Sequence, residues 1–144
     1  MHRFEFRLQL PKNISVSTIE HLMSALSGMH VDNARIYIDG PEVPIMDGSS
    51  KPFVEFIEKA ELEEQKSLRK IIKVNKKVEV KKGDSFVRII PYNQFAVDFE
   101  IEFDSQVINK QSCQLNLMNG NYKSDISSAR TFGFEKEVKQ LRLN

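Results

Sequence analysis

The chain has 144 residues, enough for one ordinary domain or two small ones with a real core. Its hydrophobic share of 40% against 28% charged residues places it among globular chains, and a net charge of +1 gives no electrostatic basis for a nucleic-acid groove or an anionic membrane surface. No apolar run could span a bilayer, and Met1-His2-Arg3-Phe4-Glu5-Phe6 contains no apolar signal core. Cys113 is the single cysteine, which excludes an internal disulfide or a CxxC metal knuckle and favours a reducing, cytoplasmic setting.

Phe4, Phe6, Leu8 and Leu10 alternate with polar residues and predict a half-buried strand. From Ser17 the period changes. Ile19, Leu22, Met23, Leu26 and Met29 share one helical stripe, and Gly28 suits a helix stop. Ala34, Ile36 and Ile38 alternate again and predict a strand over 33–39. After the proline-rich stretch from Pro41 to Phe53, Ser49 or Ser50 can cap a short helix that buries Phe53, Phe56, Ile57 and Ala60.

Residues 61–69 are charged and nearly featureless, and read as a linker between two lobes. Beyond them strands are predicted over 70–74 and 78–80, then a Lys82-Gly83-Asp84 turn and a returning arm over 86–90. The cleanest alternation is 95–103, with a further strand over 114–118. A short amphipathic helix is predicted on Val138 and Leu141. Helices and strands segregate more than they alternate, so the expected class is α+β, divided into residues 1–64 and 65–144.

Few residues could carry chemistry. Ser17-x-x-Glu20 spells a capping box, which accounts for Glu20 without any catalytic role. His21 lies away from the Leu22–Leu26 stripe, among Ser24, Ala25 and Gly28, where small neighbours would let another layer, a metal or a substrate come close. A lone histidine is nevertheless more often a surface or packed residue than a ligand. Asp47 reads as a turn residue holding backbone amides. Thr131 is either a hydroxyl donor in a site or an ordinary loop threonine. His2 and His30 read as incidental, and the Lys76-Lys77 and Lys81-Lys82 pairs as edge protection.

Four stretches carry a family resemblance. Ser17-Thr18-Ile19-Glu20-His21-Leu22-Met23-Ser24-Ala25-Leu26, then Val31-Asp32-Asn33-Ala34 and Pro41-Glu42-Val43-Pro44-Ile45-Met46-Asp47-Gly48-Ser49, closely resemble the UDP-3-O-acyl-N-acetylglucosamine deacetylases, zinc amidases of lipid A biosynthesis. Ile126-Ser127-Ser128-Ala129-Arg130-Thr131-Phe132-Gly133-Phe134 resembles a second signature of that family. The resemblance implies two similar lobes, each a β-sheet backed by helices in a two-layer sandwich. Residues 1–64 would be the second half of lobe one, and 65–144 the first half of lobe two.

By position, the resemblance makes His21 a Zn2+ ligand and Glu20 the general base. Thr131 becomes a hydroxyl near the carbonyl oxygen, and Phe132 a ring in the substrate site. The implied reaction removes acetate from the glucosamine nitrogen of UDP-3-O-acyl-N-acetylglucosamine. The family's remaining zinc ligands lie in a later His-Lys-x-x-Asp helix, and its general-acid histidine later still. No histidine here has Asp four residues after it, and none follows His30. Met1–Leu10 also differs from the threonine- and cysteine-bearing stretch expected there. The expectation is therefore an internal segment with an incomplete zinc site, inactive alone. The alternatives are a non-catalytic fragment, or a partner that completes a separately encoded C-terminal half.

Overall fold

The computed structural model describes residues 15–105, 107–117, 120–131 and 133. The strand expected over Phe4–Leu10, the helix expected on Val138 and Leu141, and Phe132 lie outside the described residues. Two compact units are present: one runs to Leu68 and takes in the segment from Tyr122, the other is Arg69–Asn121.

The first unit contains helices α1 (Glu20–Gly28) and α2 (Lys51–Ala60), which pack on each other, and a single helical turn, α3 (Tyr122–Asp125). Among the described residues its buried apolar side chains are Ala25, Leu26, Val31, Val43, Phe53, Val54 and Tyr122. Along the expected α1 stripe Leu26 is buried, Leu22, Met23 and Met29 are half-buried and Ile19 is exposed, while Ala25, off the stripe, is fully buried. The caps of the helix differ from expectation as well.

At the start of α1 no capping box forms. The N-cap residue is Ile19, without a side-chain bond. Ser17 is drawn instead into a one-residue parallel bridge with Glu42: its amide donates to the Pro41 carbonyl and its carbonyl accepts from Val43, both at 3.0 Å. The Ser17 amide is thus occupied, and Glu20 cannot reach back to it. Thr18, next in line, has φ +57°, a left-handed conformation that a β-branched residue adopts only at a cost. Its hydroxyl donates to the Glu42 carboxylate at 2.9 Å.

At the other end the helix finishes at Gly28, as expected, but the left-handed residue that turns the chain away is His30. His30 has φ +56°, its amide donates to the Ser27 carbonyl, and the Val31 amide reaches back to Leu26. This is the Schellman arrangement, with buried Val31 and Leu26 supplying its apolar contact. His30 therefore has a local structural role.

Helix α2 begins after Ser50, with Pro52 in its first turn, where a missing N–H costs nothing. Ser49 rather than Ser50 supports it by side chain, since its Oγ accepts from the Lys51 amide at 3.3 Å. Phe53 and Val54 are buried, whereas Phe56 is exposed, so the buried face lies nearer the N-terminus than the spacing suggested.

Residues 61–77 carry no regular element. The second unit is two antiparallel hairpins. Strand β1 (Val78–Lys82) pairs with β2 (Ser85–Ile89) around the expected turn, and β3 (Ala96–Glu102) pairs with β4 (Lys110–Asn116). Val78 faces Ile89 and Val80 faces Val87 across the first hairpin. None of its described residues is fully buried, since a two-stranded sheet cannot cover its own apolar face. The strands expected over 33–39 and 70–74 are absent. Residues 33–39 alternate and 70–74 are rich in β-branched residues, but neither segment has a ladder partner among the described residues. Mixed helices and antiparallel strands make the chain α+β.

Candidate active site

Glu20 opens α1 as its only first-turn acid, and its side chain is exposed. A carboxylate there is favoured by the helix dipole and, with Ser17 engaged elsewhere, is not consumed by a cap. His21 follows, partly buried. Its Nε2 is fully buried and has no hydrogen-bond partner among the described residues. A buried polar nitrogen left unpaired costs free energy, and a metal or another ligand-borne group is a common resolution. The donor chemistry of His21 therefore fits a zinc ligand. Among the described residues, however, no group of three or more His, Cys, Asp or Glu side chains is arranged to hold a metal.

Around Asp47 lies a second cluster. Asp47 Oδ1 accepts from the Ser49 amide at 3.1 Å and the Ser49 hydroxyl at 2.7 Å, the amide-holding turn its sequence context suggests. Asp47 Oδ2 accepts from the Arg130 guanidinium at 3.1 Å. The Ser49 hydroxyl first, and Arg130 after it, hold the Asp47 carboxyl below the ordinary carboxylate range. Gly48, at φ +79°, turns its carbonyl towards the Thr131 amide, 2.9 Å away. Thr131 itself is exposed, and no hydrogen bond of its hydroxyl is seen among the described residues.

Glu20 and His21 are thus adjacent on α1, and Thr131 sits on the Asp47–Ser49 loop. No direct bond joins the two sets. They are connected through the segment 122–131. At its start the Tyr122 hydroxyl and the Ser24 Oγ lie 2.7 Å apart. The Tyr122 ring lies so close over Gly28 that an added Cβ would collide with it. Lys123 pairs with Glu58 of α2. Tyr122 and Arg130 escape a sequence reading because their partners are 98 and 83 positions away. The one local signal is the small-residue pair Ser24 and Gly28, which marks where a neighbouring layer seats.

The family model for UDP-3-O-acyl N-acetylglycosamine deacetylase matches residues 2–144. The chain belongs to this family. It is 49% identical over 131 residues to a UDP-3-O-acyl-N-acetylglucosamine deacetylase of Nautilia profundicola, covering 91% of this chain and 45% of the relative. Similar proteins of the same name occur in Syntrophus aciditrophicus, at 46% identity over 89% of this chain and 41% of the relative, and in Acidithiobacillus ferrooxidans, at 44% over 90% and 43%. The chain spans less than half the length of each.

Proposed function

We propose that this chain contributes part of the active site of a zinc-dependent deacetylase that hydrolyses the N-acetyl group of UDP-3-O-acyl-N-acetylglucosamine in lipid A biosynthesis. The observation that carries the reading is the buried Nε2 of His21, without a hydrogen-bond partner among the described residues, beside a Glu20 that makes no capping bond. Membership of the deacetylase family supports it.

Zinc, when bound, lowers the pKa of water to roughly 7 and polarises the acetamide carbonyl. In this scheme His21 would be one of the residues that hold the metal. The Glu20 carboxylate accepts the proton of the attacking water, a role typically contributing ~10²–10⁴-fold. Thr131 offers its hydroxyl near the carbonyl oxygen, and Phe132 lends a ring to the substrate site.

Catalytic zinc sites use about three protein ligands, so we expect the chain to act only together with a stretch bearing the family's His-Lys-x-x-Asp segment, whether joined to it or separately encoded. Residues 1–64 and 65–144 would then be parts of two lobes, each a two-layer sandwich. No helix among the described residues is long and apolar enough to cross a membrane. Cys113 is a free, exposed thiol, which suits a reducing cytoplasm. Adding the C-terminal part of the Nautilia profundicola relative tests the reading: acetate should be released from the UDP-sugar in a zinc-dependent manner. A well-folded complex that binds zinc yet releases no acetate would contradict it.

A further inference from the structure

Ser24 and Gly28 lie three and seven residues beyond His21, on the same helical face. That face is covered by Tyr122. Its side chain is almost fully buried, its hydroxyl is engaged with Ser24, and its ring lies so close to Gly28 that no larger residue fits beneath it. The Tyr122 carbonyl accepts from the amides of both Ile126 and Ser127, and the Ser127 hydroxyl donates to the Lys123 carbonyl at 2.6 Å. The segment from Tyr122 to Ser127 is therefore braced internally. Its far end carries Arg130 and Thr131 onto the Asp47–Ser49 loop.

We propose that Tyr122 is a positioning residue for Thr131: by seating on Gly28 and Ser24 it fixes the segment 122–131 against the helix that carries His21, and so determines where the Thr131 hydroxyl stands. The two ends of the segment share the task. The Asp47–Arg130 contact is exposed, and an ion pair of that kind holds little by itself. The buried ring at Tyr122 is the firmer anchor, because moving it would leave a void over Gly28 and strip Ser24 of its partner. That Thr131 matters for chemistry rests on the proposed deacetylase reading; that Tyr122 controls its place does not.

Residue-resolved amide exchange on the 144-residue chain tests this. The reporter is the Thr131 amide, bonded to Gly48, and the control is the Val54 amide, bonded to Ser50 at 3.0 Å. Tyr122→Ala should speed exchange at Thr131 by about tenfold or more while leaving Val54 within about twofold, a local opening rather than a global one. Tyr122→Phe should restore most of the protection, because the ring still covers Gly28, and Ser24→Ala should match Tyr122→Phe. Gly28→Ala keeps the tyrosine but displaces its ring, and should also open Thr131 selectively. It decides the matter should Tyr122→Ala fail to fold. No change at Thr131, or equal acceleration at Thr131 and Val54, would overturn the proposal. Full activity of Thr131→Val in a completed enzyme would remove the residue's chemical role and leave the exchange result standing.

Discussion

Thr131 and Gly48 share a backbone hydrogen bond of 2.9 Å, which makes the Asp47–Ser49 loop and the Arg130–Thr131 segment one structural feature. Gly48 makes the bond at positive φ, and it is flanked by the Asp47 carboxylate, which accepts from Ser49 through one oxygen and from Arg130 through the other. A single side chain thus shapes its own loop and touches the segment that carries Thr131.

This feature should respond to acid. The Asp47 carboxyl is held below its ordinary value of 3.8, so the folded state binds fewer protons here than the unfolded chain does. Stability from Asp47 is then fully present above the ordinary carboxylate value and is lost as pH falls through the depressed one. Asp47→Asn should lower the melting temperature at neutral pH and converge with the parent below about pH 4, so that the acid limb of the profile is flattened. An acid limb as steep as that of the parent chain would show that the Ser49 and Arg130 contacts do not favour the charged form.

Leu26 is 3% exposed among the buried apolar side chains of the first unit and also provides the apolar contact of the Schellman turn with Val31. Leu26→Ala should cost about 2–5 kcal/mol, since the cavity opens between α1 and the residues packed on it. Met23→Ala, on a less buried part of the same helix, should cost clearly less. Urea unfolding of the two variants compares them, and equal midpoints would mean that the core lies elsewhere.

The elements legible in the sequence are those whose cause is local. The α1 helix, the α2 helix after Ser49, the hairpin around Gly83 and the 96–102 strand all follow from short-range spacing. Ser17 and Glu20 spell a capping box, but the Ser17 backbone is taken by Pro41 and Val43, more than twenty residues on. The alternation at 33–39 prepares a strand without supplying its partner. Within the candidate site, Glu20 and His21 stand out as a pair through the family motif. Tyr122 and Arg130 do not, because what they do is visible only once distant segments meet.

The paired face of β1 and β2 predicts association. Val80 is 69% exposed and Val87 opposite it is 73% exposed, with Val78 and Ile89 extending the patch. Contiguous exposed apolar surface of this kind drives association. Size-exclusion chromatography should show concentration-dependent oligomers that diminish in a Val80→Lys/Val87→Lys variant. A monomer at all concentrations in the parent chain would show that something in the chain covers this face.

The central claim is that His21 holds zinc while Glu20 moves a proton. Zinc content and acetate release should be measured together, in the chain completed with the C-terminal part of the Nautilia profundicola relative, for Glu20→Gln and His21→Ala. Glu20 makes no capping bond, so Glu20→Gln should fold and melt like the parent, keep its zinc and lose roughly 10²-fold or more in rate. His21→Ala should lose zinc and activity together. Full activity in Glu20→Gln, or full zinc occupancy in His21→Ala, would contradict the account.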